Sequence, residues 1–147
     1  MKKTITFLSI LFLLNLVACT DDAPDSTSQD EVVSTATSGT WNITYFYDTD
    51  KEETANFTGY TFTFGASNAL TATKGTTTLT GTWSVSDSNS NDDSKDDLHF
   101  NIAFSTPADF EELSDDWDIL EYTSTKIKLV DVSGGNGGTD YLTFEKN

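Results

Sequence analysis

Arginine is absent from this sequence of 147 residues, and cysteine and histidine occur once each. A single Cys cannot form a disulfide within the chain, and one Cys with one His cannot supply the ligand set of a structural zinc site. Nucleophilic arrangements such as Ser/His/Asp or Cys/His would all depend on the same His. These shortages lead us to expect a protein that is not an enzyme and that has no metal site or cofactor.

Positive charge is scarce as well. Eight Lys stand against 24 Asp and Glu, for a formal net charge of −16. Nucleic-acid phosphates need Lys and Arg to neutralise them, so we expect no nucleic-acid partner. The length fits one domain, because compact domains cluster near about 100–150 residues.

The amino-terminal residues have the pattern of an export signal. Residues 1–3 (MKK) are a short positive start, and the mostly apolar run from Ile5 to Val17 follows. The run is shorter than the roughly 20 apolar residues of a membrane-spanning helix. Residues 16–19 (LVAC) resemble the bacterial lipobox, in which the peptide is cut before the Cys and the Cys is acylated. The resemblance implies a lipoprotein signal peptide over residues 1–18, with Cys19 carrying lipid that makes the bilayer a partner.

The next segment, residues 19–38, contains that Cys and a polar, acidic stretch. Val32 and Val33 are its only large apolar residues, so it cannot bury enough surface to offset the entropy cost of ordering. We therefore predict a flexible acidic tether. Residues 20–22 (TDD) resemble the acidic export signal that sends lipoproteins to the outer face in Bacteroidota, which implies an outer-membrane protein exposed at the cell surface. An ordinary acidic linker is the alternative, and both interpretations stay open.

From Gly39 onward, residues two positions apart repeatedly match in polarity, which is the period of a half-buried β-strand. In the first strand this alternation places Trp41, Ile43, Tyr45 and Tyr47 on one face. Short turns separate the strands, so neighbours are antiparallel. The predicted strands are Thr40–Tyr47, Tyr60–Phe64, Ala69–Lys74, Thr77–Ser86, Asp97–Phe104, Trp117–Tyr122, Lys126–Asp131 and Thr139–Lys146.

An open sheet of eight sequential antiparallel strands would leave the backbone groups of two edge strands unpaired. Closure is the simplest solution, so we predict an all-β fold over residues 39–147, an eight-stranded antiparallel up-and-down barrel. A short helix near Thr106 and Pro107, with Phe110 and Leu113 on one face, is expected to close one end. A two-sheet β-sandwich is the alternative that the periodicity leaves open. A monomer is expected.

Two Gly-Thr-Trp tripeptides stand out among these strands. Residues 39–41 (GTW) open the first strand and resemble the Gly-x-Trp motif of lipocalins. Residues 81–83 (GTW) repeat it, a tandem use associated with lipocalin-like lipoproteins of Bacteroidota. The resemblance covers residues 39–147 and implies a lipocalin-like barrel. Lipocalins usually pack an Arg of the last strand over the Trp, and in this chain without Arg we expect Lys146 to take that place.

The acidic residues are numerous enough for close pairs to arise by chance, so the group from Asp109 to Asp118 is assigned no catalytic role. The segment beginning at Asp87 starts like an EF-hand loop. Its sixth position is Asp92 and its twelfth is Leu98, where that loop requires Gly and Glu. A solvated charged loop explains the segment better, and no metal ligand is predicted.

All 16 aromatic residues that follow the signal peptide lie in residues 39–147. A small eight-stranded barrel either fills its interior with side chains or holds one small ligand. We predict that the barrel binds a small, mostly apolar ligand. The alternative is a filled barrel acting as a non-enzymatic interaction module for a protein partner or a glycan. The candidate ligand-binding residues of the barrel interior are Trp41, Tyr45, Phe62, Trp83 and Phe100.

Overall fold

The computed structural model describes residues 29–87, 98–132 and 137–147. The expected signal peptide, Cys19, the export-like residues 20–22 and most of the EF-hand-like loop lie outside these ranges. Nine strands are formed. They are β1 (Trp41–Asp48), β2 (Lys51–Glu52), β3 (Thr61–Phe64), β4 (Ala69–Lys74), β5 (Thr77–Asp87), β6 (Leu98–Ala103), β7 (Asp115–Thr123), β8 (Lys126–Val132) and β9 (Thr139–Lys146).

The sheet closes on itself. From β3 to β9 each strand pairs antiparallel with the next. The last strand, β9, pairs with β1 from Trp41↔Lys146 to Tyr47↔Tyr141, and Trp41 also pairs with Phe62 of β3. The predicted eight-stranded up-and-down barrel is therefore confirmed, and the β-sandwich alternative is wrong. The ninth strand, β2, only extends a hairpin from the end of β1.

Short helices cover the two ends of the barrel. One is α1 (Gln29–Thr37), at the end where β1 begins, and the other is α2 (Ala108–Glu111), between β6 and β7. We call these the α1 end and the α2 end. A 3-10 helix (Thr54–Phe57) follows β2. The predicted short helix is α2, with Phe110 buried as expected. In the described part of the chain, no helix has the length and apolar character needed to cross a bilayer.

The helix α1 corrects the predicted tether. Residues 29–37 are helical, and Val32 and Ala36 are fully buried in the core. These two residues are four apart and so lie on one helix face. Composition suggested a chain too polar to fold, but helices of proteins are stabilised mainly by packing of one face. Gln29 Nε2 also donates to Val85 O at 2.7 Å, which ties the start of α1 to β5.

A β-bulge corrects the predicted face of β1. The register with β9 shifts between Ile43 and Tyr45, so the alternation changes phase there. Phe46 is consequently buried inside the barrel, whereas Tyr45 is 42% exposed on the outside. Tyr47 follows Tyr45 onto the outer face, because it pairs with the exposed Tyr141. The first two residues of the predicted face, Trp41 and Ile43, do point inwards.

All three tryptophans are buried, and each indole N–H has a backbone acceptor. A buried indole is stable only when this one polar group is paired. The three bonds are Trp41 Nε1 to Ala36 O (2.8 Å), Trp83 Nε1 to Gly65 O (3.0 Å) and Trp117 Nε1 to Leu113 O (3.0 Å). The first of them fastens α1 to the start of the barrel.

Lys146 occupies the position that the lipocalin resemblance implied. Its Nζ lies 5.1 Å from the centroid of the Trp41 ring, within cation–π range. The same Nζ donates to Ser38 Oγ at 2.7 Å. A Cβ on Gly39 would lie 3.1 Å from Lys146 Cε, so Gly39 leaves room for this side chain.

The second tripeptide needs its glycine for a different reason. A Cβ on Gly81 would lie 2.4 Å from Ala103 O on β6 and 2.8 Å from Phe104 Cδ1. The obstacle here is backbone and a buried ring, neither of which can move without disturbing the sheet. The two repeats therefore share a sequence but differ in what surrounds them.

We expect Val32→Ala to lower the free energy of unfolding by about 2 kcal/mol, because it removes two buried carbons and leaves a cavity. Urea unfolding of the whole chain, followed by Trp fluorescence, measures the loss. Ser34→Ala, on the exposed side of the same helix, is the matched control and should change stability by less than about 0.5 kcal/mol. Equal effects of the two variants would mean that α1 does not pack as described.

We expect Gly81→Ala to cost about 1–3 kcal/mol, the usual range for overpacking. Gly39→Ala should cost less than about 1 kcal/mol, because a Lys side chain can rotate away. Urea unfolding of both variants gives the comparison. A larger loss for Gly39→Ala than for Gly81→Ala would contradict the assignment of the rigid contact to the second repeat.

Candidate functional site

The barrel interior was the first candidate site. Of the five residues assigned to it from the sequence, Trp41, Phe62, Trp83 and Phe100 are buried. The fifth, Tyr45, lies on the outer wall, so its assignment to the interior is wrong, for the bulge described above. Within the buried set, Trp83 and Phe100 are in contact, with ring centroids 5.6 Å apart.

Aromatic rings meet across the middle of the barrel. Phe64 of β3 lies 5.2 Å from Phe100 of β6 and 5.3 Å from Phe144 of β9, measured between ring centroids. Phe46 of β1 lies 6.5 Å from Trp117 of β7. None of these strand pairs are neighbours in the sheet, so the rings reach each other through the interior. These aromatic side chains are in contact with one another inside the barrel and belong to its core.

The α2 end is closed by the same kind of contact. The ring of Phe110, on α2, lies 5.3 Å from Phe57 and 5.1 Å from Phe104. Phe57 in turn packs edge-on against Phe46 at 5.3 Å. With Val32 and Ala36 at the α1 end, buried side chains stand at both mouths of the barrel.

Open grooves occur on the outer surface. One of about 220 Å³ runs between α1 and the strand that carries Trp83, and one of about 410 Å³ lies between α1 and Tyr122. Small-molecule sites are usually deeper, with several polar groups converging on the ligand. The larger groove is lined by Ser, Thr, Tyr and acidic side chains, whereas the smaller one mixes amide and hydroxyl side chains with Val33, Val85 and Trp83. Both are open to solvent rather than enclosed.

The acidic residues singled out between Asp109 and Asp118 do not form one cluster. Asp109, Glu111 and Glu112 lie on or next to α2, whereas Asp115, Asp116 and Asp118 lie on β7. The pKa of the Asp115 carboxyl is raised, and burial is the largest cause. The Asp116 N–H, which donates to Asp115 Oδ1 at 2.8 Å, lowers this pKa, whereas the charges of Asp131 and Asp116 raise it.

Three carboxylates from separate segments do meet at the α2 end. Asp48, Glu53 and Glu112 each bring an oxygen within 4.8 Å of the other two. Glu53 is only 9% exposed, and Lys51 Nζ is ion-paired with its Oε1. Sequence reasoning missed this meeting, because it depends on how residues far apart in the chain are brought together by the fold. Since Lys51 already satisfies the buried carboxylate, the trio by itself is not a cation site.

Like charges surround Glu112. Burial is the largest cause that raises the pKa of its carboxyl, and the charges of Asp48 and Asp109 raise this pKa further. The charge of Lys51 lowers it in part. A raised pKa means that the folded state favours the protonated carboxyl. Protonated Glu112 therefore contributes to the free energy of unfolding below pH 4.5, the pKa in the unfolded chain, and this contribution is lost as the pH rises through the folded pKa.

The lone histidine lies on the outer wall. His99 projects away from the buried Leu98 and Phe100, as predicted from the alternation of β6. Its Nδ1 is 3.2 Å from Asp118 Oδ1, although the two atoms are not aligned for a hydrogen bond. This pair joins neighbouring strands β6 and β7, and Ser86 of β5 stands opposite His99 on its other side, with its Oγ accepting from Asn101 Nδ2 at 2.9 Å.

Three tyrosines form the most distinct feature of the outer wall. Tyr45 and Tyr47 of β1 have nearly parallel rings, 10° apart in orientation, with centroids separated by 6.5 Å. Tyr141 of β9 stands directly opposite Tyr47. Tyr141 is 39% exposed. We call these three residues the tyrosine face. One feature of the sequence indicates the tyrosine face. Phe46 stands between Tyr45 and Tyr47 and has no polar group, so it is the better candidate for burial, which places both Tyr on the outer side.

The chain has a distant structural likeness to a solved protein. A scan against protein-family models and a search of curated proteins found no match. Among solved structures, a DUF4847 family protein from Bacteroides vulgatus ATCC 8482 is 20% identical, with a TM-score of 0.49, covering 79% of this chain and 97% of that chain. At this identity and TM-score, the site has to be judged from its own residues.

We expect Glu112→Gln to stabilise the protein at pH 7 by about 0.5 kcal/mol, a small gain because the side chain is exposed and screened. The gain should vanish near pH 3, where the wild-type carboxyl is protonated. Urea unfolding at both pH values measures it, with Glu111→Gln on the same helix as the control outside the carboxylate trio. A gain of equal size at both pH values would contradict the electrostatic cause.

Proposed function

We propose that this chain is a monomeric, lipid-anchored lipoprotein of the outer membrane, exposed at the cell surface, whose filled barrel is a non-enzymatic interaction module. Its partner binds on the outside of the barrel. The supporting observation is the contact between aromatic rings across the interior, from Phe64 to Phe100 and Phe144. An interior ligand would have to displace buried rings, each of which contributes several kcal/mol of burial and packing.

The anchor part of the proposal depends on residues 16–19 and on the position of α1. Nine residues lie between Cys19 and the start of α1 at Gln29, which makes ten residue-to-residue steps. Fully extended, they span at most about 34 Å. This length sets the greatest distance between lipid on Cys19 and the α1 end of the barrel. A tether reaching to Ser38 would set a larger limit, so the helix keeps the α1 end nearer the bilayer. The α2 end would then be turned outwards.

The non-enzymatic part follows from the side chains available. The one His of the chain is on the outer wall beside Asp118. The one Cys is the proposed lipidation residue. In the carboxylate trio Asp48, Glu53 and Glu112, Lys51 is ion-paired with Glu53, which disfavours Glu53 as a base.

Mass spectrometry of the whole lipoprotein, extracted from its native membrane in mild detergent, tests the proposal. Spectra are taken under native conditions and again after denaturation, because covalent lipid survives denaturation whereas a cavity ligand does not. We expect a monomer, an acyl mass increment in both spectra, and no molecule released on unfolding. Cells treated with an external proteinase before extraction should yield no intact chain.

The Cys19→Ser variant is the matched control and should lack the acyl increment. A reproducible apolar molecule released by denaturation would reject the filled-barrel module. An unlipidated wild-type chain would reject the anchor, and complete protection from proteinase in intact cells would reject the surface location.

A further inference from the structure

The tyrosine face lies on the part of the wall nearer the α2 end. Tyr47 and Asp48 finish β1, and Tyr141 comes near the beginning of β9, whereas α1 sits where β1 starts. In the proposed orientation this surface is directed away from the bilayer. Tyr45, diagonal to Tyr141 across the strand pair, is within reach of the same ligand.

The surroundings of the tyrosine face contain an acidic residue and two ion pairs. The exposed Glu52 of β2 stands opposite Tyr47, and the ion pairs lie on strands β7, β8 and β9. Lys128 Nζ lies 2.9 Å from Glu121 Oε2, and Lys126 Nζ lies 2.8 Å from Glu145 Oε1. Lys128 also holds the pKa of the Glu121 carboxyl below its usual value, as expected for an ion pair. Both lysines are thus engaged with carboxylates, so an anionic ligand would have to break an ion pair to bind there. The Glu52 carboxylate also repels an anion, so these surroundings suit a ligand that carries no negative charge.

The area of the face decides between two kinds of uncharged partner. A Tyr side chain presents about 200 Å², so the exposed fractions of Tyr45 and Tyr141 leave on the order of 80 Å² each. A stable protein interface buries about 800 Å² per partner. The tyrosine face is therefore too small to be the core of such an interface. It matches the size of a few sugar rings.

Tyr side chains also offer the chemistry that sugars require. The ring face carries negative quadrupole charge that attracts the C–H bonds of a sugar ring, and the hydroxyl both donates and accepts hydrogen bonds. Two nearly parallel rings at 6.5 Å present this combination twice along one strand. A purely aliphatic patch would offer the apolar contact without the polar one.

We infer that the tyrosine face, formed by Tyr45, Tyr47 and Tyr141, is a binding surface for a neutral oligosaccharide. The inference rests on the proposed function, since it identifies the partner class of an outward-binding module. Ring contact supplies the affinity, and the Glu52 carboxylate together with the already paired lysines disfavours anionic sugars.

The test is binding of the whole lipoprotein, in mild detergent, to an array of neutral and anionic oligosaccharides. We expect at least one neutral oligosaccharide to bind, and high salt to leave the binding unchanged. The double variant Tyr45→Ser/Tyr141→Ser should bind at least tenfold more weakly. Tyr45→Phe keeps the ring and should retain binding within a few-fold.

Leu120→Ser is the matched control for general apolar contact, because Leu120 is an exposed apolar residue on β7 of the same wall. It should leave binding unchanged. Urea midpoints of all variants confirm that each is folded. The inference is overturned if no neutral oligosaccharide binds, if only anionic ones do, or if the double tyrosine variant binds as well as the wild type.

These outcomes are separable from failure of the proposed function. If no oligosaccharide of the array binds and denaturation releases no molecule in the mass spectra, only the tyrosine face as a sugar-binding site is rejected. A released apolar molecule rejects the outward-binding module itself, whatever the array shows.

Discussion

Contact between aromatic rings across the barrel governs the rest of this structure. In a closed sheet of eight strands, the inward side chains either meet in the middle or leave a cavity. Here Phe64 reaches both Phe100 and Phe144, and Phe46 reaches Trp117. Because these rings come from strands that are not neighbours in the sheet, their contacts hold separate parts of the barrel wall together. These rings belong to the hydrophobic core of the barrel, which is why we propose that a partner binds on the outer surface.

The filled interior also explains why the ends are built as they are. A packed barrel with open mouths would expose rings to water, so each mouth needs an apolar cover. At the α2 end Phe110 supplies it, and at the α1 end Val32 and Ala36 do. The Trp41 indole donates to Ala36 O, while Lys146 covers the ring of Trp41. This ring thus joins α1 to the seam where β1 and β9 close the sheet.

Much of the fold could be predicted from the alternation of polar and apolar residues. Strands β4 and β9 begin and end where the sequence predicted, because alternation and turn residues agree there. The exceptions have specific physical causes. Tyr45 was assigned inwards because a bulge leaves no mark in the alternation until it has shifted the phase. Residues 29–37 were assigned to a tether because the segment has so few large apolar residues, and only packing against the barrel mouth makes burial of Val32 and Ala36 favourable.

The candidate site was less predictable than the fold, because it depends on which side of the wall each aromatic occupies. The bulge in β1 shifts the alternation of its side chains, so Tyr45 points outwards instead of into the barrel. Tyr45 then lies on the same face as Tyr47 and next to β9, the strand that carries Tyr141. One structural event therefore has two consequences: Phe46 completes the ring contacts inside, and the tyrosine face forms outside. A β1 without the bulge would bury Tyr45 with its hydroxyl in an apolar core, which is costly without a partner. The same phase change that fills the barrel thus creates the surface on which we expect it to bind.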